Sequence, residues 1–141
     1  MRVVLDTNVV VSGLLSAYGP PARIVDLVVT GDLVLLFDDR LLSEYEEVLR
    51  RSRFGFDAVD VDALLNVIFH EGEAVVPQPL DLQLPDPDDQ PFAEVAIVSK
   101  AEALITGNIR HFRPLQTSHG VKIYSPSAFL THWRSGVARN A

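Results

Sequence analysis

Two short runs in this chain are wholly apolar and stop at an acid: Val3-Val4-Leu5 before Asp6, and Leu33 to Phe37 before Asp38-Asp39. A run of that length, without alternation and flanked by polar residues, reads as a strand buried on both faces, which is the habit of parallel sheets. Parallel strands cannot be joined by a tight hairpin; they need a crossover, usually a helix. Segments of helical periodicity do follow each run. The chain is thereby committed to an α/β architecture, a central sheet with helices on both faces. In such sheets the ligand crevice lies outside the carboxyl ends of the strands. The acids that end the runs therefore stand where chemistry is usually done.

Taken in order, Val9 to Leu15 reads as a short helix, broken at Ser16 to Pro21. Pro21 suits the first turn of a helix from Ala22 to Val29, which Thr30-Gly31-Asp32 stops. Helices follow over Asp39 to Arg51 and Asp57 to Phe69, with the basic stretch Arg50-Arg51-Ser52-Arg53-Phe54 between them. Ala74 to Val76 is a short third strand. Pro77 to Pro91, with five prolines and four aspartates, reads as an ordered loop within one domain spanning 1–141. Phe92 to Ala101 is apolar almost all round, as a helix buried against a sheet would be. Ala103 to Thr106 and Val121 to Tyr124 complete a mostly parallel sheet of four to five strands, and Ser125-Pro126 caps a last helix to Arg134. If the sheet is parallel, Asp6, Asp38 and Asn108 share one edge.

Composition excludes several classes. There is no cysteine, hence no disulfide, thiolate zinc site or cysteine nucleophile. No apolar run is long enough to cross a bilayer and no signal-like segment opens the chain, so the expected compartment is the cytoplasm. A net charge of −7 opposes non-specific binding to phosphates, and suits instead a carboxylate cluster holding cations or a basic protein partner. The four histidines form no HExxH and none has a ligand-spaced partner; nucleotide-cradling glycine motifs are absent.

Each candidate acid has an ordinary reading beside the chemical one. Asp6 and Asn8 could simply cap the helix that follows. In the helix from Asp39, Leu41, Leu42, Tyr45, Val48 and Leu49 form an apolar stripe with Glu44 and Glu46 on its margins, and periodicity does not choose between them. Asp86, Asp88 and Asp89 could serve the dipole of the buried helix, although three acids exceed what a cap needs. Gathered together, such acids fit Mg²⁺ or Mn²⁺, which take hard oxygen ligands and keep waters that substrate phosphates displace.

Four stretches carry a resemblance: VVLDTNVVVSGLL, DRLLSEYEEVLRR, PDPDDQPFAEVAIVSKAEALITGNIRHF and KIYSPSAFL. In this order and spacing the chain resembles the PIN domain, the ribonuclease fold of VapC-like toxins in toxin–antitoxin pairs. The resemblance implies a three-layer α/β/α fold with a quartet of acids binding Mg²⁺ or Mn²⁺. It implies that Asp6, Glu44 and Asp89 hold the ion and that Asn108 completes the site. Asn8 would orient Asp6, with Asp86 and Asp88 as neighbours and Thr106 as the hydroxyl ending the fourth strand. Many relatives carry an aspartate at the place of Asn108, and some an acid at the place of His111; here neither brings a negative charge. The expected activity is endoribonucleolytic, with a metal-activated water as nucleophile. RNA would be steered by Arg50, Arg51, Arg53 and Arg110, unless these are only a solvated basic rim. The resemblance further implies an antitoxin partner and a homodimer. The alternative is a PIN-like module that binds RNA or protein without cutting. An aspartyl-phosphate mechanism is poorer, because the acid it wants two residues after Asp6 is replaced by Asn8.

Overall fold

The computed structural model describes the backbone of residues 1–140 and the side chains of residues 1–136. Five strands, all parallel, lie in the order β3-β2-β1-β4-β5. Central β1 (Arg2–Leu5) is flanked by β2 (Val34–Phe37) and then β3 (Glu73–Ala74) on one side, and by β4 (Ala103–Ile105) and then β5 (Ile123–Tyr124) on the other. Val3 faces Leu35 across one ladder and Ala103 across the other. Its run Val3-Val4-Leu5 is at most 1% exposed, which is why it shows no polar alternation. Helices cover both faces, giving the expected three-layer α/β/α architecture.

The strand order fixes where a ligand can sit. From β1 the chain winds outward through β2 and β3, then returns to the other side of β1 for β4 and β5. That reversal is a topological switch point, where the loops leaving β1 and β4 part and open a crevice. Asp6 follows β1 and Thr106 follows β4.

The helices begin close to where the sequence places them. α1 (Thr7–Leu15) starts two residues early, directly after Asp6, and packs closely on α2 (Pro20–Val29). A Cβ on Gly13 would lie 2.6 Å from a methyl of Val25, so only glycine permits that approach. α3 (Asp39–Leu49) is followed by a 3₁₀ turn at Ser52–Phe54, and α4 (Ala58–Glu71) is capped by Asp57, which accepts from the Val59 N–H at 2.8 Å. α5 (Gln90–Ser99) starts after a second 3₁₀ turn, Pro87–Asp89, and ends at Lys100 in the left-handed region, φ 55°. The last helix, α8 (Pro126–Asn140), runs past Arg134, and the Ser125 hydroxyl accepts from Ala128 N–H at 3.1 Å as a cap.

Two readings change. β3 is Glu73–Ala74, a register earlier than Ala74 to Val76, with one further ladder bond from Val75 N to Phe37 O at 2.7 Å. Residues between β4 and β5, where periodicity assigns nothing, form α6 (Ile109–Phe112) and α7 (Pro114–Ser118), each too short to display a period. The proline-rich segment before α5 is fastened by buried Glu94, which accepts from Leu80 N–H at 2.8 Å, while Gln90 Nε2 donates to Leu80 O at 2.8 Å.

Candidate active site

Asp6 occupies the N-cap position of α1, yet its side chain makes no capping hydrogen bond. Its Oδ2 instead accepts from the Thr106 hydroxyl at 2.8 Å, and that hydroxyl accepts from Asn108 N–H at 2.9 Å. Asp6 is thus held from across the β1–β4 switch point. Burial pushes its carboxyl above the usual carboxylate range; the Thr106 bond offsets part of this, and the charge of Asp89 adds to it. The resemblance gave the orienting task to Asn8. Here Asn8 Oδ1 accepts from Gly107 N–H at 3.3 Å, tying α1 to the exit of β4, and Thr106 is what orients Asp6.

Glu44 and Glu46 are separated by the rotation of α3. Tyr45, fully buried between them in sequence, donates its hydroxyl to Leu5 O at 2.5 Å, immediately before Asp6. With α3 pinned there, Glu44 reaches the Thr7 hydroxyl, which donates to its Oε2. Glu46 and Glu47 face solvent, where they meet Arg50 at 3.4 Å and Arg51 at 3.0 Å. The Glu44 carboxyl is pushed up by burial against the Thr7 bond, with Asp6 and Asp88 repelling it further.

The third acid comes from the turn before α5. Asp86 caps that turn by accepting from Asp88 N–H at 2.9 Å; Asp88 itself is exposed, and Asp89 is buried. His111 on α6 brings Nδ1 to 3.0 Å from Asp89 Oδ2. Asp86, Asp89 and His111 each offer a ligand atom within 4.8 Å of the others. No histidine has a ligand-spaced partner in the sequence; in the fold His111 meets Asp89, 22 residues away, because α6 follows β4 at the switch point. Burial raises the Asp89 carboxyl, as does Asp86, while His111 pulls it down.

Most of these groups border a groove of 340 Å³, but Glu44 and Asp88 are not in its lining. Asp6, Asn8, Asp86, Asp89, Asn108 and His111 line it, and Arg53 and Phe54 complete its wall. Asn108 is exposed there and makes no side-chain cap for α6. A larger hollow of 540 Å³ between α2 and α8 holds no cluster of acids. Asp38, expected at the same sheet edge, is turned away from the groove. It accepts from Arg40 N–H at 2.9 Å and Leu41 N–H at 3.1 Å, capping α3, and pairs with the Arg40 guanidinium at 2.7 Å.

The sequence matches the PIN domain family over residues 2–110. The chain belongs to the PIN domain family. The matched span contains Asp6, Glu44, Asp89 and Asn108 and ends one residue before His111. Among solved structures, the PIN domain is similar to a chain in the crystal structure of VapBC2 from Rickettsia felis bound to a DNA fragment from its promoter. The similarity has a TM-score of 0.59 at 15% identity, covering 89% of this chain and 98% of that one. At that identity the likeness is one of fold. No curated protein matches the chain.

The donor set of this PIN domain fits a divalent cation. Asp6, Glu44 and Asp89 are burdened by burial and mutual repulsion, and among the described residues none forms an ion pair with Lys or Arg. Carboxylate oxygens with one imidazole nitrogen suit Mg²⁺ poorly as a full cage but suit Mn²⁺ well. Of the four arginines marked for phosphates, Arg50 is held by Asp62 and Glu46, and Arg51 by Glu47. Arg110 borders a small hollow with Asn108 and His111, and Arg53 lies in the groove itself.

Proposed function

We propose that this PIN domain is a metal-dependent endoribonuclease, the toxin of a toxin–antitoxin pair, that hydrolyses RNA phosphodiesters. One observation supports the reading: Asp6 and Asp89 line one groove beside Glu44, whose charge bears on Asp89, and among the described residues none of the three pairs with Lys or Arg. Asp6, Glu44, Asp89 and Asn108 would hold Mg²⁺ or Mn²⁺, with Asp86 and His111 beside Asp89. A bound divalent ion supplies Lewis acidity toward the phosphoryl group and a water nucleophile at neutral pH. The protein's own residues position and shield. Thr106 holds Asp6, Thr7 holds Glu44, and Asn8 fastens Gly107 so that Asn108 stays at the rim. Arg53 and Arg110 meet phosphates; Arg50 and Arg51 are committed to acids and serve α3 instead.

The toxin assignment draws on the fold likeness to a VapBC2 chain and on the net charge of −7, which suits a basic antitoxin segment. It carries a homodimer and a cytoplasmic location with it. No helix among the described residues is long and apolar enough to cross a membrane.

The test is cleavage of single-stranded RNA by purified protein with Mn²⁺, against chelator and against Asp6→Asn. Wild type should cut, and the other two should not. Cutting by Asp6→Asn at the wild-type rate would remove the site assignment. Co-expression of the gene immediately upstream should relieve any growth arrest. A second reading, binding of RNA or protein without cleavage, is favoured by Asn108, which brings no charge where relatives carry an aspartate. Tight RNA binding with no cleavage in Mn²⁺ would select it.

A further inference from the structure

Arg53 and Phe54 sit on the 3₁₀ turn that follows α3, and Gly55, with φ 64°, turns the chain away immediately after them. The turn sets both side chains in the wall of the groove that holds Asp6, Asp89 and His111. Arg50 and Arg51, a few residues earlier, are tied to acids. Arg53 makes no ion pair among the described residues, although acids outnumber Lys and Arg 19 to 12 in the chain. Its guanidinium instead lies 4.8 Å from the ring centroid of Phe54. Phe54 in turn stacks on Phe56, with centroids 5.6 Å apart and planes within 14°. Both rings are half-buried: they pack against the edge of the core and stay partly open to solvent.

Resting on the ribonuclease reading above, we propose that the Arg53–Phe54 ladder is a subsite that stacks one unpaired base of single-stranded RNA beside the acids. A phosphate alone would ask for charge and no flat surface. An aromatic carrying a guanidinium offers both, the combination that takes splayed-out bases in RNA recognition. The groove's 340 Å³ lies at the small end of ligand pockets, about 300–1,000 Å³, which suits a nucleotide and not a duplex. Bases inside a helix are already stacked and cannot enter. The subsite therefore selects unpaired segments and fixes which phosphodiester lies over Asp6 and Asp89.

The experiment uses the full chain carrying Asp6→Asn, to prevent cutting, with a single-stranded RNA containing 2-aminopurine and its duplex counterpart as probes. Stacking should quench the single-stranded probe and leave the duplex unbound. Phe54→Leu should weaken single-strand binding about tenfold or more and abolish the quench, in line with the usual contribution of one stacked base. Phe54→Tyr, which keeps the ring, should bind and quench as the parent does, and so shows that loss in Phe54→Leu is not misfolding. Arg53→Lys keeps the charge without the plane and should lose most of the quench. Equal quenching in Phe54→Leu and the parent overturns the subsite, as does full rescue by Arg53→Lys. Loss of antitoxin binding with RNA binding intact also overturns it, and makes the ladder a protein contact. Cleavage by the wild-type protein is scored separately. If wild type fails to cut while its quench depends on Phe54, the ribonuclease reading falls and the subsite stands. If wild type cuts and Phe54→Leu quenches normally, the reverse holds.

Discussion

Asp38 and Asp6 end neighbouring parallel strands, each is buried, and each stands just before a helix, yet the fold treats them in opposite ways. Asp38 is given two backbone N–H donors and a guanidinium, and the same Arg40 reaches buried Glu94 at 2.7 Å. Burial pushes Glu94 up, but Arg40, the Leu80 N–H and Gln90 outweigh it and leave the carboxyl below its usual range. Asp6 receives one hydroxyl and faces Asp89 and Glu44. One pair of acids is neutralised by the protein and serves to join α3, α5 and the proline-rich loop. The other group is left crowded and half-satisfied, an arrangement that a cation from outside the chain would complete. Local satisfaction, and not burial or position on the sheet, separates a structural acid from a working one.

The largest effect should come from breaking the satisfied side. Arg40→Met leaves two buried carboxylates without their cation and should cost about 3 kcal/mol, the low end for halving a buried pair because the guanidinium is 40% exposed. Urea unfolding measures it; a loss under about 1 kcal/mol would mean that the backbone donors suffice. Next is completion of the other side. Mn²⁺ at about a hundred times its Kd should stabilise the wild type by roughly 2.7 kcal/mol and leave Asp6→Asn nearly unmoved. Mn²⁺ should outdo Mg²⁺ because His111 offers nitrogen, and His111→Asp should narrow that gap. Asn108→Asp should bind Mn²⁺ more tightly than the wild type and melt lower in chelator; calorimetric titration compares these proteins directly.

A smaller effect, opposite in sign to most active-site losses, belongs to the empty site. The fold raises the carboxyls of Asp6, Glu44 and Asp89, so the folded chain holds protons there that the unfolded chain releases. Their contribution to stability is full below the unfolded pKa values and is lost as pH rises through the folded ones. Glu73 and Glu94, which are lowered, contribute above their unfolded values and lose that as pH falls. In chelator, the melting temperature should therefore climb as pH drops from neutrality through the raised values, then fall in stronger acid. Asp6→Asn should flatten the climb and, in chelator at neutral pH, melt higher than the wild type. A flat profile in the wild type would contradict the crowding of these acids. The smallest effect is Glu46→Gln, which breaks only an exposed i,i+4 pair and should change stability and cleavage by less than about 0.5 kcal/mol. A large loss there would mean that α3 as a whole, and not Glu44, is what the site needs.

Much of this was legible in the sequence, and the failures have physical causes. The unalternating runs ending at Asp6 and Asp38 revealed the parallel sheet, because burial on both faces leaves no polar positions. They could not reveal that Asp38 turns back to its own helix while Asp6 takes a hydroxyl from the far side of the sheet. The first contact spans three residues and the second spans 100. Periodicity left Glu44 and Glu46 equal because both flank the stripe; the Tyr45 bond to Leu5 is a tertiary fact that rotates α3. Glu46–Arg50 and Glu47–Arg51 were readable as i,i+4 pairs, and they account for the two arginines that do not reach the groove. His111 is marked in the sequence only as a place where some relatives carry an acid; its nearness to Asp89 could not be read there, because one turn of helix has no period to show.

The hydroxyl that holds Asp6 has a consequence for how the protein is made. Asp6 is polymerised 100 residues before Thr106, and Asp89 and His111 also belong to the later part of the chain. At about 5–20 residues per second, a ribosome takes roughly 5–20 s to cover that stretch. Throughout that interval the nascent chain carries a lone acid on a strand whose neighbour β4 does not exist. Pairing across so long a separation also comes late in folding, after the entropy of closing the loop has been met. A message cut short before β4 yields a fragment with no groove, so only nearly whole copies carry the site at all.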